Sequence, residues 1–261
     1  MHAGGKVRIP QGLLFYICDN SVARIKCLVI LLLVVSARVH GQDSEDYQAH
    51  GDWMIETKKY YRAVVSYKKA IELDSTNANA YFKCALAYYG LANLSETRNY
   101  FNLAITKNSN YTLARYQRSM LLIHMQQFGE AIRDLDFILG KSPNDTNFIF
   151  LKCVALYHHG EYEDAINLFS RLSELRQHKN PLEDKLFIGN CHLHLKNNEE
   201  AISLYNEVLS KDPDNYEALI NRAFALLYAG KKKEACKEFE SFVQAGYHSE
   251  AVVSSLKDHC K

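Results

Sequence analysis

The strongest constraint on this chain is a period. The small residues Gly51, Ala85, Ser119, Cys153, Gly189 and Ala223 follow one another at spacings of 34, 34, 34, 36 and 34. Ala63, Thr97, Ala131, Ala165, Ala201 and Ala235 keep the same spacings. So does a column of large apolar residues: Tyr67, Phe101, Leu135, Phe169, Tyr205 and Phe239. Three columns in one register through six copies imply a stack of similar units, each too small to bury its apolar face alone.

Each copy carries two stretches with apolar residues at helical spacing. In the fourth these are Leu151, Val154 and Ala155, then Ala165, Leu168, Phe169 and Leu172, with the turn "HHGEYED" between them. Two antiparallel helices pack closely only where small side chains let their backbones approach, which accounts for the first two columns. The third column fills the space between one helix pair and the next. Copies are joined by "DSTN", "KSPND" and "KDPDN", and Pro143 and Pro213 each end a helix because proline lacks the ladder N–H. With 12 glycines and 4 prolines in 261 residues, helices are favoured over a turn-rich β fold, and 48% hydrophobic content excludes a disordered chain.

The period, the small residue, the Ala, the aromatic and the Pro together resemble the tetratricopeptide repeat. The resemblance implies an all-α, right-handed superhelical solenoid. Its six helix-turn-helix copies run over 44–77, 78–111, 112–145, 146–179, 182–215 and 216–249, within residues 42–249. Departures are visible: Thr97 stands in the Ala column, Ser75 and Ser109 replace the joining Pro, and Asn180–Pro181 are inserted between copies four and five. That insertion predicts a local irregularity. Beyond the last copy, residues 250–261 place Val252, Leu256 and Cys260 on one stripe, as expected of a helix capping the array's apolar end. The closing pattern, Ala-Cys in the last copy and a Cys near the end, is similar to small secreted repeat proteins of bacteria.

In this family the first helix of each copy lines a concave groove. The resemblance therefore implies a partner-binding surface of Phe82, Tyr89, Tyr116, Met120, His124, Phe150, Tyr157, His158, Leu186, Asn190, His194, Phe224 and Tyr228, with Leu193 beside them. Packing of some of these aromatics between copies is the alternative. An extended peptide or an amphipathic helix is the expected form of ligand. His124, His158 and His194 share one position in copies three to five, on helices about 10 Å apart. Zinc ligands must each reach to about 2.1 Å, so no metal site and no cofactor is expected there. A groove that turns cationic below about pH 6.5 is the further expectation from that column. Asn190 and Asn221 match two asparagines of the family's carboxylate-clamp variant, but the required lysine is missing and the clamp is rejected.

Seven cysteines without a CxxC exclude a disulfide scaffold, although Cys236 and Cys260 are candidates for one bridge holding the cap. Cys84, Cys153 and Cys191 occupy core slots. Asn93, Asn110 and Asn144 begin N-x-S/T triplets in turns, and "KKK" at Lys231–Lys233 reads as a solvated edge. With 31 basic and 30 acidic residues there is no charge excess for nucleic acid. No nucleophile–base motif, phosphate loop or zinc-hydrolase helix is present, so no enzyme activity is expected.

The first 41 residues differ from the rest. Arg24 and Lys26 precede the apolar run Cys27–Val35 and the small or polar "SARVHGQD", the order of a secretory leader cut before Gln42 or after Ala37. The stretch before Val22 is long for such a leader, which suggests translation starting near Val22. An uncleaved membrane anchor is the alternative. Without residues 1–41 the chain holds 26 basic and 29 acidic residues. The expectation is an extracytoplasmic scaffold that binds another polypeptide in its groove. The alternatives are a membrane-anchored structural spacer and an accessory subunit presenting substrate to a separate enzyme.

Overall fold

The computed structural model describes residues 43–177, 181–244, 246 and 249–260; the leader and the Asn180 side of the insertion lie outside them. Thirteen α-helices and no strand occur among the described residues. They fall into two compact units that divide between Thr76 and Asn77. The first holds α1 (Ser44–Glu56) and α2 (Tyr60–Leu73). The second holds α3 (Ala78–Gly90), α4 (Leu94–Lys107), α5 (Thr112–His124), α6 (Phe128–Leu139), α7 (Thr146–His159) and α8 (Tyr162–Leu175). It continues through α9 (Pro181–His194), α10 (Asn198–Leu209), α11 (Tyr216–Tyr228), α12 (Lys232–Gln244) and α13 (Glu250–His259). Within the second unit each helix packs on the next, giving an all-helical repeat solenoid.

All three sequence columns are interior: every residue in them is buried in all six copies. The first and third columns touch. A Cβ on Gly51 would lie 2.5 Å from the Tyr67 ring, and one on Gly189 would lie 2.9 Å from the Tyr205 ring. Side chains 16 residues apart therefore share one volume: glycine stands opposite tyrosine, and Ala, Ser or Cys opposite Phe or Leu. The tyrosines bring a hydroxyl that must find a partner when buried. Tyr67 donates to Asp52 at 2.7 Å and Tyr205 to Asn190 at 2.8 Å. Where the third column lacks a hydroxyl, the residue after the small one is Leu86, Met120, Val154 or Phe224.

A second pairing with the same offset handles charge. Arg118 donates to Asp134 through Nε at 2.7 Å, and Arg222 to Glu238 through Nε at 3.3 Å. Each arginine also donates to an asparagine of the preceding copy, Asn102 at 2.7 Å and Asn206 at 2.8 Å. Asp134 is buried and has a second guanidinium, Arg115, at 3.0 Å, so its charge is compensated on two sides. Between copies four and five, Asp184 is buried against Arg176 at 3.1 Å. Burial lifts the Asp184 carboxyl above the usual range, and Arg176 opposes the lift.

The turns inside each copy share a backbone feature. Lys58, Ala92, Gln126, Gly160, Lys196 and Gly230, one per copy at the same position, all have positive φ. Only two are glycine, so the turn is imposed by packing of the helix pair at a cost of about 1–3 kcal/mol at each other site. The inserted Pro181 opens α9, where a missing N–H costs no helix bond. At the far end α13 is capped by Ser249 and buries Val252 against Phe239 and Phe242, with Leu256 and Cys260 at the margin. A disulfide joins Cys236 to Cys260 across 24 residues. Cys84, Cys153 and Cys191 are buried thiols.

Candidate functional site

A cleft of about 760 Å³ opens in the second unit, lined by Tyr157, Asn190, Leu193, His194, Lys196, Asn198, Asn221, Phe224, Tyr228 and Ala251. Its walls are the ends of α7, α9 and α11, closed off by the start of α10 and by α13. Tyr228 is 63% exposed, while Phe224 is half-buried and packs on Phe239 at 5.1 Å between ring centres. One wall is therefore a rigid aromatic surface anchored in the core. Among the described residues that line the cleft, Lys196 carries the formal charge and none is a carboxylate.

The polar side of the cleft is built from asparagines. Asn190 is buried, and its Oδ1 accepts from Tyr205 at 2.8 Å and Asn221 at 2.9 Å while its Nδ2 donates to Glu217 at 2.8 Å. Its amide is thus consumed by the fold. Asn198 differs: its Oδ1 is buried and no donor among the described residues reaches it. A buried carbonyl oxygen in that state costs stability and offers no open contact to a ligand.

The histidine column forms stacks rather than a cluster. His158 stacks on Phe128 of the preceding copy at 5.3 Å, and His194 on Tyr162 at 4.6 Å with nearly parallel planes. His194 Nε2 also lies 3.3 Å from the Tyr157 hydroxyl, which burial pushes up to about 12 and so keeps protonated. His124 is exposed at the matching position.

Of the residues expected in the groove, the structure brings Tyr157, Asn190, His194, Phe224 and Tyr228 to one cleft, with Leu193. Others need correction. Phe82 is buried and packs between Phe101 and Tyr111, at 5.8 and 5.2 Å, so it offers no open surface. Phe150 is wedged among Phe169, Phe187 and the Arg176 guanidinium. Tyr116 is half-buried with its ring edge-on to Phe148, and Leu186 is partly buried against the core around Tyr205. Packing rather than open surface accounts for these, within the copy for Phe82 and across neighbouring copies for Phe150, Tyr116 and Leu186. Tyr89 and Met120 are exposed, at 59% and 41%, but do not line the cleft. Lys196, Asn198 and Ala251 were missed because the expectation covered first helices alone. They come from a turn, a second helix and the cap.

Residues 51–91 match the family described as TPR repeat, residues 192–257 the family described as tetratricopeptide repeat, and residues 124–208 subunit 3 of the anaphase-promoting complex, or cyclosome. Among curated proteins, DnaJ homolog subfamily C member 3 of Gallus gallus is 25% identical over 205 residues, 76% of this chain and 36% of that protein. The TPR repeat-containing protein MJ1428 of Methanocaldococcus jannaschii is 24% identical over 178 residues, 66% of this chain and 31% of that protein. The chain thus spans about a third of the length of these relatives. Among solved structures, YrrB, a TPR protein with an unusual peptide-binding site, superimposes with a TM-score of 0.61 at 22% identity, over 71% of this chain and 95% of its own. A tetratricopeptide repeat protein of Parabacteroides merdae does so at 0.51 and 18%, covering 92% of each chain. These similarities bear on the fold.

Proposed function

We propose that this chain, built of tetratricopeptide repeats, is a non-catalytic scaffold that holds a polypeptide in the cleft between α7, α9 and α11. Tetratricopeptide repeats imply a protein-interaction role in general; the cleft supports the particular one. The observation that carries it is an open wall of exposed Tyr228 and half-buried Phe224, with the exposed Lys196 across the same cleft. An extended segment would lay an apolar side chain on the aromatic wall. Lys196 favours a carboxylate next to that side chain.

We place the protein outside the cytoplasm, as an adaptor or assembly factor of a secreted bacterial type. The leader pattern of Arg24, Lys26 and the run Cys27–Val35 supports this, as does a disulfide on the cap, since such bonds persist in oxidising compartments. Photo-crosslinking in the native host tests the binding role, with a photoreactive residue at Tyr228 and a control at the exposed Glu163 of α8. A discrete polypeptide adduct at Tyr228 alone is the expected result. Equal adducts at both positions, or none, would overturn it.

A further inference from the structure

The outward face of α2 departs from its counterparts. Tyr61, Val65 and Leu73 lie along it and are 71%, 48% and 57% exposed. The equivalents of Tyr61 and Val65 are Ser95 and Asn99 in copy two, Glu163 and Asn167 in copy four, and Glu199 and Ser203 in copy five. Single exposed apolar residues are ordinary, whereas Tyr61 and Val65, one helical turn apart and both exposed, make an apolar pair on a face that is polar in copies two, four and five.

The charge around the stripe identifies the contact. From Thr57 to Ile71 the sequence holds Lys58, Lys59, Arg62, Lys68 and Lys69 and no acidic residue. All five cations are exposed; Glu72 on the same face pairs with Lys69, and Glu56 and Asp74 flank the stretch. We propose that the outward face of α2 docks on an anionic lipid surface. Aromatic and aliphatic side chains flanked by lysine and arginine are what an interfacial helix needs: the apolar groups enter the acyl boundary and the cations meet headgroup phosphates. A protein partner fits less well, because lysine is depleted in the cores of protein interfaces.

In the alternative where the leader stays uncut, the chain upstream favours the same occupant. The apolar run Cys27–Val35 ends eight residues before Asp43, the cap of α1. Eight residues span at most roughly 29 Å, so a bilayer that holds the run lies within reach of the first unit. This surface is independent of the cleft.

Flotation of the full chain with vesicles of phosphatidylcholine, alone or mixed with phosphatidylglycerol, tests the inference. The comparison variants are Lys58→Gln/Lys59→Gln/Arg62→Gln and Tyr61→Ser/Val65→Ser, all at exposed positions and all carrying the same N-terminus as the unaltered chain. Binding to the mixed vesicles is expected to weaken with salt, and the charge variant to bind on the order of 100-fold less, from about fivefold per surface cation. The apolar variant should also lose binding. Variants that float like the unaltered chain would overturn the proposal, since the upstream run would then account for all attachment. So would self-association abolished by Val65→Ser, which would make the face a contact between two molecules of this chain.

Discussion

Copies one and five solve their interiors in the same way and present opposite surfaces. In both, a glycine faces a buried tyrosine 16 residues on, and the next residue, Asp52 or Asn190, accepts the hydroxyl. Outside, α2 shows Tyr61 and Val65 where α10 shows Glu199 and Ser203. Inside, Asn190 also holds Asn221 and Glu217 of the following copy, and that copy supplies the aromatic wall of the cleft. The shared part builds the unit; the differing part is where function is to be sought. Interior changes should therefore alter stability, and surface changes should alter binding at constant stability.

The largest effect is expected at the third column. Tyr205→Ala should cost about 3–5 kcal/mol in chemical denaturation, since it empties a fully buried site and strands the Asn190 network. Tyr67→Ala should cost less, because its partner Asp52 is half-buried and regains water where the buried Asn190 does not. Equal losses would break the comparison. Removing the disulfide with Cys236→Ser/Cys260→Ser should cost about 3 kcal/mol. Amide exchange should then rise in α13 and at its contacts with α12, with the earlier copies protected as before.

Smaller effects sharpen the picture. Gly189→Ala should cost about 1–3 kcal/mol, and Gly51→Ala more, because its added Cβ would meet the ring at 2.5 Å rather than 2.9 Å. In a Tyr205→Leu background, which imitates the Ser119–Leu135 pair, Gly189→Ala should be close to neutral. Additive losses in that double variant would show that ring and glycine do not share one volume. Ala92→Gly should raise stability by about 1 kcal/mol by relieving a positive φ of 55°, and the equivalent Gly160 offers no such gain.

The fold was legible because the repeat is written in residue size. Each small residue and each large one kept its column through six copies, and size is what the helix pair and the next copy respond to. The cleft was legible only in part. Position in a first helix picked out Tyr157, His194 and Tyr228, which line the cleft, but Phe82 and Phe150 share the pattern and are consumed by packing. Side-chain size does not say which copy leaves its aromatic uncovered. Asn190 carried a signal that went unused: a polar residue follows the small column only in the two copies that end in tyrosine. The turn at Lys58, Ala92, Gln126 and Lys196 left no glycine to read, because tertiary packing rather than local preference sets its backbone.

The central claim is that the exposed wall of the cleft, not the interior lattice, binds the polypeptide. It is tested most directly by the affinity of the crosslinked segment for Tyr228→Ala, measured alongside its melting temperature. The account predicts binding weakened by about tenfold or more at an unchanged melting temperature, as for an aromatic anchor truncated at an interface. Unchanged affinity, or a loss matched by a fall in melting temperature, would contradict it.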